Sequence, residues 1–333
     1  MTPPSRYVAA TLPLFPGPHP SLYGRKRSNS DRRGRRLPTQ LQFLPGQWVD
    51  TFCPGIANAG GFTITSPPSA ARTAPVLLPA PGADALSCDP GEAPASPPEP
   101  AGAGTGALYR YVELAVRRAD DSPVTTFLWR NPAFPAALLG TPLRLRVGGS
   151  FVYPPPGVPT FHLRRLVLVA GGVGVNPLVS IATHLSEQTQ RPGPAGVQPE
   201  VRLLYSLRDV AREGKLDEML FVPRLAGFFA KGRLKGTLRL FLTPGPGAGG
   251  ERDKDQDSED KGVMPCNGLE VSFARRRISA DDITEAVGPD PRFAAAYVCG
   301  VPLMTDTIVA HLLGTRPEGV GMEKHRVLFE KWW

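Results

Sequence analysis

A twenty-residue segment, residues 166–185, restricts the fold of this chain more than any other part of it. It reads LVLVAGGVGVNPLVSIATHL, and its first five residues are apolar, which predicts a strand buried on both faces. The glycines that follow require a tight turn. A helix is then predicted to begin at Asn176, a good N-cap, with Pro177 in the first helical position. The pattern therefore predicts an α/β fold in which a glycine loop connects a strand to a helix N-terminus.

A glycine loop at a helix N-terminus suits a phosphate. Gly171, Gly172 and Gly174 have no Cβ, so backbone N–H groups can approach an anion closely, and the helix dipole adds positive potential at the same point. The third glycine of the dinucleotide-binding fingerprint is absent. A simple strand-to-helix turn, which needs glycine only for its dihedral angles, is the alternative at this point.

Length and composition indicate two domains interrupted by poorly packed segments. The chain has 333 residues, and its 39 prolines and 36 glycines are concentrated in a few places. Residues 70–106 are rich in Pro, Ala and Gly with almost no large apolar side chains, so we predict a disordered insertion there. Residues 244–268 contain the charged run ERDKDQDSEDK, for which we predict a solvated loop.

The net charge of +8 is concentrated at the N-terminus. Residues 1–39 hold eight Arg or Lys and a single acid, Asp31. Because this excess lies in a proline-broken segment and not on a helical face with aromatic residues, we do not expect nucleic-acid binding. An Arg-rich, acid-poor N-terminus is typical of a mitochondrial transit peptide, which predicts a mitochondrial location. A disordered basic tail on a cytoplasmic protein is the alternative.

The remaining composition argues against several other classes of protein. No run of about 18 apolar residues exists, so no membrane span is expected. The five histidines have no metal-ligand spacing, and we expect no metal site. The four cysteines form no C-x-x-C pair, which favours a reducing compartment without structural disulfides; they are Cys53, Cys88, Cys266 and Cys299.

The two halves of the chain show different secondary-structure patterns. Between residues 40 and 162, short strands separated by turn signals predict a small antiparallel β-barrel, and the clearest strand is residues 107–118, ALYRYVELAVRR. From residue 163 to residue 333, strand and helix patterns alternate, which predicts a parallel sheet covered by helices. Within that half, Ser279 and Asp282 form a capping box that predicts a helix start. The expected architecture is a β-barrel domain followed by a parallel α/β domain.

This architecture and several short motifs resemble the ferredoxin reductase family, flavoproteins that pass electrons between nicotinamide nucleotides and other carriers. Residues 45–47 (PGQ) are similar to the turn before the family's flavin strand, and residues 171–177 (GGVGVNP) are similar to its GGxGxxP pyrophosphate loop. Residues 299–304 (CGVPLM) are similar to its CGP-x-x-M segment beside the nicotinamide. The resemblance covers about two thirds of the chain, and it implies an FAD-binding barrel followed by an NAD(P)-binding domain.

The resemblance implies a set of residues for each cofactor. Cys299 is implied as the residue of the catalytic site that helps to seat the nicotinamide ring for hydride transfer. The implied NAD residues are Gly171, Gly172, Val173, Gly174, Val175, Asn176, Pro177, Ser206, Arg208, Gly300 and Met304. The implied flavin residues are Gln47, Trp48, Phe62, Thr63, Ile64 and Thr65, with Trp333 as a cover for a cofactor ring.

Some of these residues have a second interpretation. Cys299 also fits an ordinary core residue, because cysteine is among the most frequently buried residue types. Arg208 suits the adenosine ribose or a 2′-phosphate, so NADP is an alternative to NAD, and a plain surface arginine is a third interpretation. Trp332 and Trp333 equally suit a plug at the edge of the last strand.

The barrel departs from the family pattern at three points. The family strand carries R-x-Y-S, and here Gly60, Phe62 and Thr63 stand at the Arg, Tyr and Ser positions. The later G-x-x-S phosphate turn is absent, with residues 122–126 (SPVTT) in its region. No strand is recognised before Gln40, so the barrel is expected to be incomplete and to leave open strand edges.

The predicted function is that of an NAD(P)H-dependent flavoprotein oxidoreductase, with hydride transfer between a nicotinamide and a bound flavin. The expected partners are a small-molecule nicotinamide nucleotide and an electron acceptor that the sequence does not identify. The alternative is a nucleotide-binding protein without turnover, whose barrel holds no flavin.

Overall fold

The computed structural model describes residues 7–14, 41–72, 76–77, 108–119, 121–129, 141, 143–189, 198–209, 219–244 and 261–331. Three sheets lie within these residues: one of seven strands and two of three strands. The large sheet belongs to the second half of the chain, and the small sheets belong to the first half. This arrangement confirms the predicted architecture of a β domain followed by an α/β domain.

The strands of the large sheet are β7 (Arg165–Gly171), β8 (Glu200–Arg208), β9 (Gly236–Thr243), β10 (Lys261–Cys266), β11 (Leu269–Ala274), β12 (Ala294–Gly300) and β13 (Val327–Lys331). Their order across the sheet is β10-β11-β9-β8-β7-β12-β13. Neighbouring strands run parallel except for β10, which pairs antiparallel with β11.

Helices cover both faces of this sheet. Leu166 and Leu168 of β7 pack on the face covered by α3 (Val175–Gln188) and α4 (Val222–Ala230). Val167 and Val169 pack on the other face, under α5 (Ala280–Val287) and α6 (Pro302–Leu313). Successive strand residues point to opposite faces, so a strand between two helical layers must be apolar at every position. In the described residues, no helix has the length and apolar character needed to cross a membrane.

The chain order creates a switch point between β7 and β12. From β7 the chain adds β8, β9 and β11 on one side, and it later adds β12 and β13 on the other. In open α/β sheets, ligands bind beyond the carboxyl ends of the strands at such a point. The two strand ends there are Gly171 and Gly300.

The two small sheets form the first domain. A bridge between Ile64 and Leu114 connects them, and both side chains belong to one shared core. In one sheet, β2 (Trp48–Phe52) lies between β3 (Gly60–Thr63) and β6 (Arg144–Gly148). In the other, β5 (Leu108–Arg117) lies between β1 (Tyr7–Leu14) and β4 (Val76–Leu77). The helices α1 (Pro68–Arg72) and α2 (Pro123–Trp129) belong to the same half of the chain.

The strand β1 contradicts the expectation that no strand precedes Gln40. It pairs antiparallel with β5 along its whole length. Pro13 argues against a central strand, but β1 lies at the edge of its sheet, where a missing N–H is tolerated. The barrel is therefore more complete than expected. The rest of residues 1–39 lies outside the described residues, so the transit peptide and the mitochondrial location stay predictions.

Two predicted loop boundaries are also wrong. Residues 70–72 belong to α1, in which Ala70 and Ala71 are buried. Residues 261–268 belong to a hairpin in which Asn267 and Gly268 connect β10 to β11, both with positive φ, as two-residue hairpin turns require. Residues 78–106 and 245–260 lie outside the described residues.

The predicted capping box is present at the N-terminus of α5. The Ser279 N–H donates to Asp282 Oδ2 at 2.8 Å, and the Asp282 N–H donates to Ser279 Oγ at 3.3 Å. Arg276 donates two further bonds to the same carboxylate. Burial would raise the pKa of Asp282, but the bonds from Arg276 and Ser279 outweigh it and lower the pKa to about 2.

Asp282→Asn is expected to lower the free energy of unfolding at neutral pH by about 1 kcal/mol or more. A carboxyl group whose folded pKa is depressed stabilises the fold above its unfolded pKa of 3.8, and this contribution is lost as the pH falls toward about 2. Urea unfolding of parent and variant across this pH range measures the difference. Asp281→Asn, at the exposed neighbouring acid, is the matched control, and the same pH dependence in both variants would contradict the assignment.

Candidate functional site

Gly171, Gly300 and Met304 lie together at the switch point, and the space beyond these two strand ends is named the crevice. A Cβ added to Gly171 would lie 2.8 Å from Met304 Sδ, and one added to Gly300 would lie 3.1 Å from the Cα of Gly171. The flexible end of Met304 could move away, but a Cβ at Gly300 would be tight against the backbone of Gly171, so glycine favours the close approach of the two strand ends. The fold thus brings together two predicted motifs, residues 171–177 and 299–304, that are far apart in the chain.

Gly172 is the glycine of the loop that faces open space. Its φ is +55°, in the left-handed region, and a Cβ added there would meet no atom within 4 Å. With Val173 it belongs to a short 3-10 turn, Gly172–Gly174, that leads directly into α3. The N–H groups and dipole of a helix N-terminus attract anions, so this geometry can hold a phosphate.

Gly174 has a different role from Gly172. It is buried, and a Cβ there would overlap the carbonyl oxygen of Cys299 and lie 2.7 Å from the nitrogen of Gly300. Glycine is therefore required for close packing of the loop on β12. Of the three glycines predicted to approach a phosphate, the structure leaves Gly172 in open space and uses the other two for packing.

Asn176 is not the cap of α3, contrary to the prediction. The helix begins at Val175, directly after Gly174, and no side chain caps it. Asn176 lies inside the first turn, next to the buried Pro177, and is 6% exposed. Its Nδ2 donates to the carbonyl oxygen of Ala115 on β5 at 3.2 Å, and its Oδ1 is buried with no partner among the described residues. The helix needs no side-chain cap because the glycine turn continues into it, and Asn176 instead connects the two domains.

Cys299 is fully buried, at 0% exposure, on the face of the sheet that α3 covers. Its backbone carbonyl meets Gly174, so this residue helps to shape the loop through its main chain. A direct role of its side chain in seating a nicotinamide ring stays a prediction.

The carboxyl end of β8 carries Ser206 and Arg208. Ser206 is half-buried and pairs with Gly171 across the two strands, while Arg208 is exposed. The next residue, Asp209, accepts a hydrogen bond from Arg275 Nε at 2.8 Å. An acid at this strand end commonly binds a ribose hydroxyl. Here that acid is ion-paired with Arg275, and Arg208 is the exposed charge beside it.

Gln47 and Trp48 lie where β2 begins beside β6. Gln47 Nε2 donates to the carbonyl oxygen of Gly149 at 3.0 Å, and its Oε1 accepts from the Leu44 N–H at 2.8 Å. The Trp48 indole covers the glycines after β6, because a Cβ on Gly149 would lie 2.7 Å from its Nε1. Both side chains are partly exposed, so they are able to contact a planar ring.

The other predicted flavin residues are mostly buried. Phe62 is half-buried, whereas Thr63, Ile64 and Thr65 are at most 5% exposed. The Ile64 side chain belongs to the barrel core, and its N–H donates to the Gln47 carbonyl oxygen at 3.0 Å. β3 ends at Thr63, and Ile64 then forms a bridge with Leu114 of β5. These three side chains therefore present little surface to a ligand.

Gly60 stands where the family pattern has an arginine. A Cβ there would lie 2.8 Å from Val124 Cγ1 of α2, so α2 fills the space that a longer side chain would need. Residues 122–126, which replace the family's second phosphate turn, form the start of this helix, and Ser122 Oγ accepts from the Thr125 N–H at 3.4 Å. Neither segment supplies a cation for a flavin phosphate.

A buried ion pair that the sequence analysis missed joins the two domains. Arg224 of α4 donates to both carboxylate oxygens of Glu113 on β5, at 2.7 and 2.8 Å, and Thr65 Oγ1 donates to Glu113 Oε2 at 2.8 Å. Burial disfavours the charged form of both side chains, but the charge of each side chain stabilises the charged form of the other. The pKa of Glu113 is thereby held below its ordinary value and that of Arg224 above it. An arginine in the otherwise apolar helix VPRLAGFFA was the available signal.

The remaining features lie away from the crevice. One cavity of about 530 Å³ lies beside Phe52 and Arg144, and another of about 580 Å³ lies between α5 and the segment after α6. Neither is lined by a predicted site residue. Across the described part of the chain, no three His, Cys, Asp or Glu side chains form a group that suits a metal. Trp332 and Trp333 lie outside the described residues.

Comparison with solved structures finds modest likeness. The Amycolatopsis reductase GcoB has a TM-score of 0.48 and 20% identity over 88% of this chain, which spans 62% of that protein. The ferredoxin-NADP⁺ reductase of Plasmodium falciparum with 2′P-AMP has a TM-score of 0.48 and 12% identity, covering 87% of this chain and 84% of that one. The fold assignment rests on the strand order described above.

Comparison of sequences gives matches of higher identity over most of the chain, although no family model matches it. The oxidoreductase NAD-binding domain-containing protein 1 of Bos taurus is 29% identical over 296 residues, which are 88% of this chain and 72% of that protein. The protein of the same name from Danio rerio is 29% identical over 294 residues, covering 88% of this chain and 82% of that protein. The chain is thus a homologue of the proteins named oxidoreductase NAD-binding domain-containing protein 1.

Proposed function

We propose that this chain is an NAD(P)H-dependent flavoprotein oxidoreductase in which hydride passes between a nicotinamide nucleotide and a flavin. One observation carries the proposal: Gly172 stands open at the N-terminus of α3, at the switch point between β7 and β12. This is where α/β sheets bind dinucleotides. The names of the relatives, which include an NAD-binding domain, support the same ligand.

In the second domain, different residues would contact different parts of the nucleotide. Backbone N–H groups of the turn Gly172–Gly174 and of the first turn of α3 would bind the pyrophosphate. Gly171, Gly300 and Met304 would form the floor of the crevice at the nicotinamide end. Arg208, exposed at the end of β8, would contact the adenosine ribose or the 2′-phosphate of NADP.

On the flavin side, the residues present fit the ring better than the phosphates. FAD would supply the two-electron carrier of the reaction. Gln47, Trp48 and Phe62 are partly exposed, and the two aromatic rings suit a planar ligand. The side chains of Thr63, Ile64 and Thr65 are buried and would hold their own backbone in place beside the ring. The phosphates would depend on groups other than Gly60.

A nucleotide-binding protein that holds no flavin is the second candidate. The packing of Val124 against Gly60 favours it, because that contact fills the space where the family pattern places an arginine. Both candidates require the same crevice in the second domain. They differ only in what the barrel binds.

Titration of the purified full chain with FAD, NADH and NADPH separates the two candidates. For an oxidoreductase, we expect saturable binding of FAD and of a nicotinamide nucleotide, and bleaching of the flavin absorbance when the reduced nucleotide is added without oxygen. A colourless protein that binds nucleotide, takes up no FAD and oxidises no NADH with an artificial acceptor would establish the second candidate. Absence of nucleotide binding would reject both.

Arg208→Ala is expected to weaken NADPH binding more than NADH binding. Loss of a charge-assisted bond to a phosphate costs about 1.5–3 kcal/mol, so the Kd for NADPH should rise about tenfold or more. Arg202→Ala, at the opposite end of β8 and beside Glu200, is the matched control. Equal changes in the Kd of the two nucleotides would rule out a contact between Arg208 and the 2′-phosphate.

A further inference from the structure

The Glu113–Arg224 ion pair is the centre of a buried polar network. Besides the two bonds from Arg224, the Glu113 carboxylate accepts a bond from Thr65. The backbone of Glu113 adds three more: its N–H donates to Ser66 Oγ at 3.0 Å, and its carbonyl oxygen accepts from the Thr65 N–H at 2.9 Å and from Thr65 Oγ1 at 3.1 Å. Residues 65–66, which follow β3, are therefore fixed to β5 through both side chains and main chain.

The same segment is also fixed to α3. Ser180 Oγ of α3 donates to the carbonyl oxygen of Ser66 at 2.9 Å, and Ser180 is fully buried. One turn earlier in that helix, Asn176 donates to the carbonyl oxygen of Ala115, two residues after Glu113 in β5. The helix that begins at the glycine loop and the segment beside the predicted flavin ring thus share one hydrogen-bonded joint.

Arg224 is suited to hold this joint in one geometry. Its planar guanidinium makes a bidentate contact with the carboxylate, and the guanidinium carbon lies 4.8 Å from the centre of the Phe221 ring. Both side chains are nearly inaccessible to solvent. Because apolar residues of similar volume often stabilise a fold as well as a buried ion pair does, stability alone does not account for this pair.

We propose that Glu113 and Arg224 are positioning residues for hydride transfer, which set residues 63–66 of the barrel at a fixed distance from the glycine loop of α3. The catalytic consequence rests on the proposed function. In that reaction a hydride leaves the nicotinamide, which is oxidised, and its two electrons and proton reduce the flavin. The rate of such a step depends steeply on the separation of the two rings.

The test compares three variants with the parent chain. In the double variant Glu113→Met with Arg224→Met, both charges are replaced by unbranched apolar chains, so no buried charge is left unpaired. Thr65→Val removes the hydroxyl that donates to Glu113 Oε2 and to the Glu113 carbonyl oxygen, and it leaves the ion pair in place. Arg146→Met is the control, because it removes the exposed ion pair with Asp50 on the barrel.

Hydrogen–deuterium exchange of the chain without FAD gives the first result. We expect the amides of Ile64 and Thr65 to exchange about tenfold faster in the double variant, while the amides of β7 and β12 keep the parent rate. Thr65→Val should show a smaller change in the same direction. Parent exchange rates at Ile64 and Thr65 in both variants would overturn the proposal.

Anaerobic stopped-flow reduction of the FAD-loaded chain by NADPH gives the second result. We expect the single-turnover rate to fall about 10- to 100-fold in the double variant, with the Kd values for FAD and NADPH within about threefold of the parent. A parent rate in the double variant, or an equal loss in Arg146→Met, would overturn the proposal. A parent chain that binds no FAD would reject the proposed function, and the exchange rates would then decide the positioning of residues 63–66 alone.

Discussion

Gly174→Ala is expected to destabilise the second domain, which contains the seven-stranded sheet, by about 3 kcal/mol, at the upper end of what overpacking usually costs. A Cβ there would overlap the carbonyl oxygen of Cys299 and lie 2.7 Å from the nitrogen of Gly300. Both are backbone atoms of a central strand, so they cannot rotate away as a side chain would. Total stabilities of about 5–15 kcal/mol make this a large loss, which urea and thermal unfolding would measure.

Gly172→Asn is the matched variant in the same loop. Asparagine adopts a φ near +55° at a cost of about 1 kcal/mol or less, and its side chain would enter open space. The fold should therefore survive, while the new side chain occupies the place proposed for a phosphate, and nucleotide affinity should fall more than about tenfold. Unchanged nucleotide binding would put the phosphate elsewhere, and an unaffected Gly174→Ala would refute the close packing on β12.

Elements whose pattern is local could be predicted from the sequence. The apolar run of β7 identified a strand between two helical layers, and the alternation in residues 107–118 identified β5. Ser279 and Asp282 form the predicted capping box because both partners lie within one helical turn. The glycine loop was also recognised, although the sequence did not distinguish the open Gly172 from the packed Gly174, since that difference depends on where β12 lies.

Elements that depend on their surroundings were missed. β1 contains a proline, which is acceptable only because β1 lies at the edge of its sheet. β10 follows a charged run, and that run favours a loop over the hairpin that turns at Asn267 and Gly268. The resemblance implies flavin contacts for Thr63, Ile64 and Thr65, but β3 ends at Thr63 and all three side chains are buried. In each case the deciding contact comes from a part of the chain distant in sequence.

Each residue of the ion pair is a charge in an apolar sequence context, which indicates that it needs a partner but does not identify that partner. Alternation of side chains along β5 places Glu113 on the same face as Tyr111 and Ala115. A carboxylate on a buried face requires a cation beside it. Arg224 is the cation in an apolar helix, which equally requires an anion. The two are 111 positions apart in the chain, so their pairing becomes evident only when the domains pack together.

Arg224→Met alone is expected to lower the free energy of unfolding by about 3–5 kcal/mol, because it leaves the Glu113 carboxylate buried without its cation. The double variant with Glu113→Met should stay within about 1–2 kcal/mol of the parent, since no charge is then buried. Urea unfolding of the two variants and the parent at neutral pH measures both losses. Equal destabilisation of the single and double variants would show that lost packing, and not the unpaired charge, is the cause.

The contribution of Glu113 to the free energy of unfolding should depend on pH in opposite directions in the parent and in Arg224→Met. In the parent, the pKa of Glu113 is held below 4.5, so the stability it contributes is present above that value and is lost as the pH falls. Without Arg224, burial raises the pKa of Glu113, the folded state binds a proton more readily than the unfolded state, and acid stabilises the variant. The difference in unfolding free energy between parent and Arg224→Met should therefore narrow between about pH 7 and pH 4, while the double variant shows no such change. A constant difference across this range would mean that Glu113 does not keep its charge in the joint between the domains.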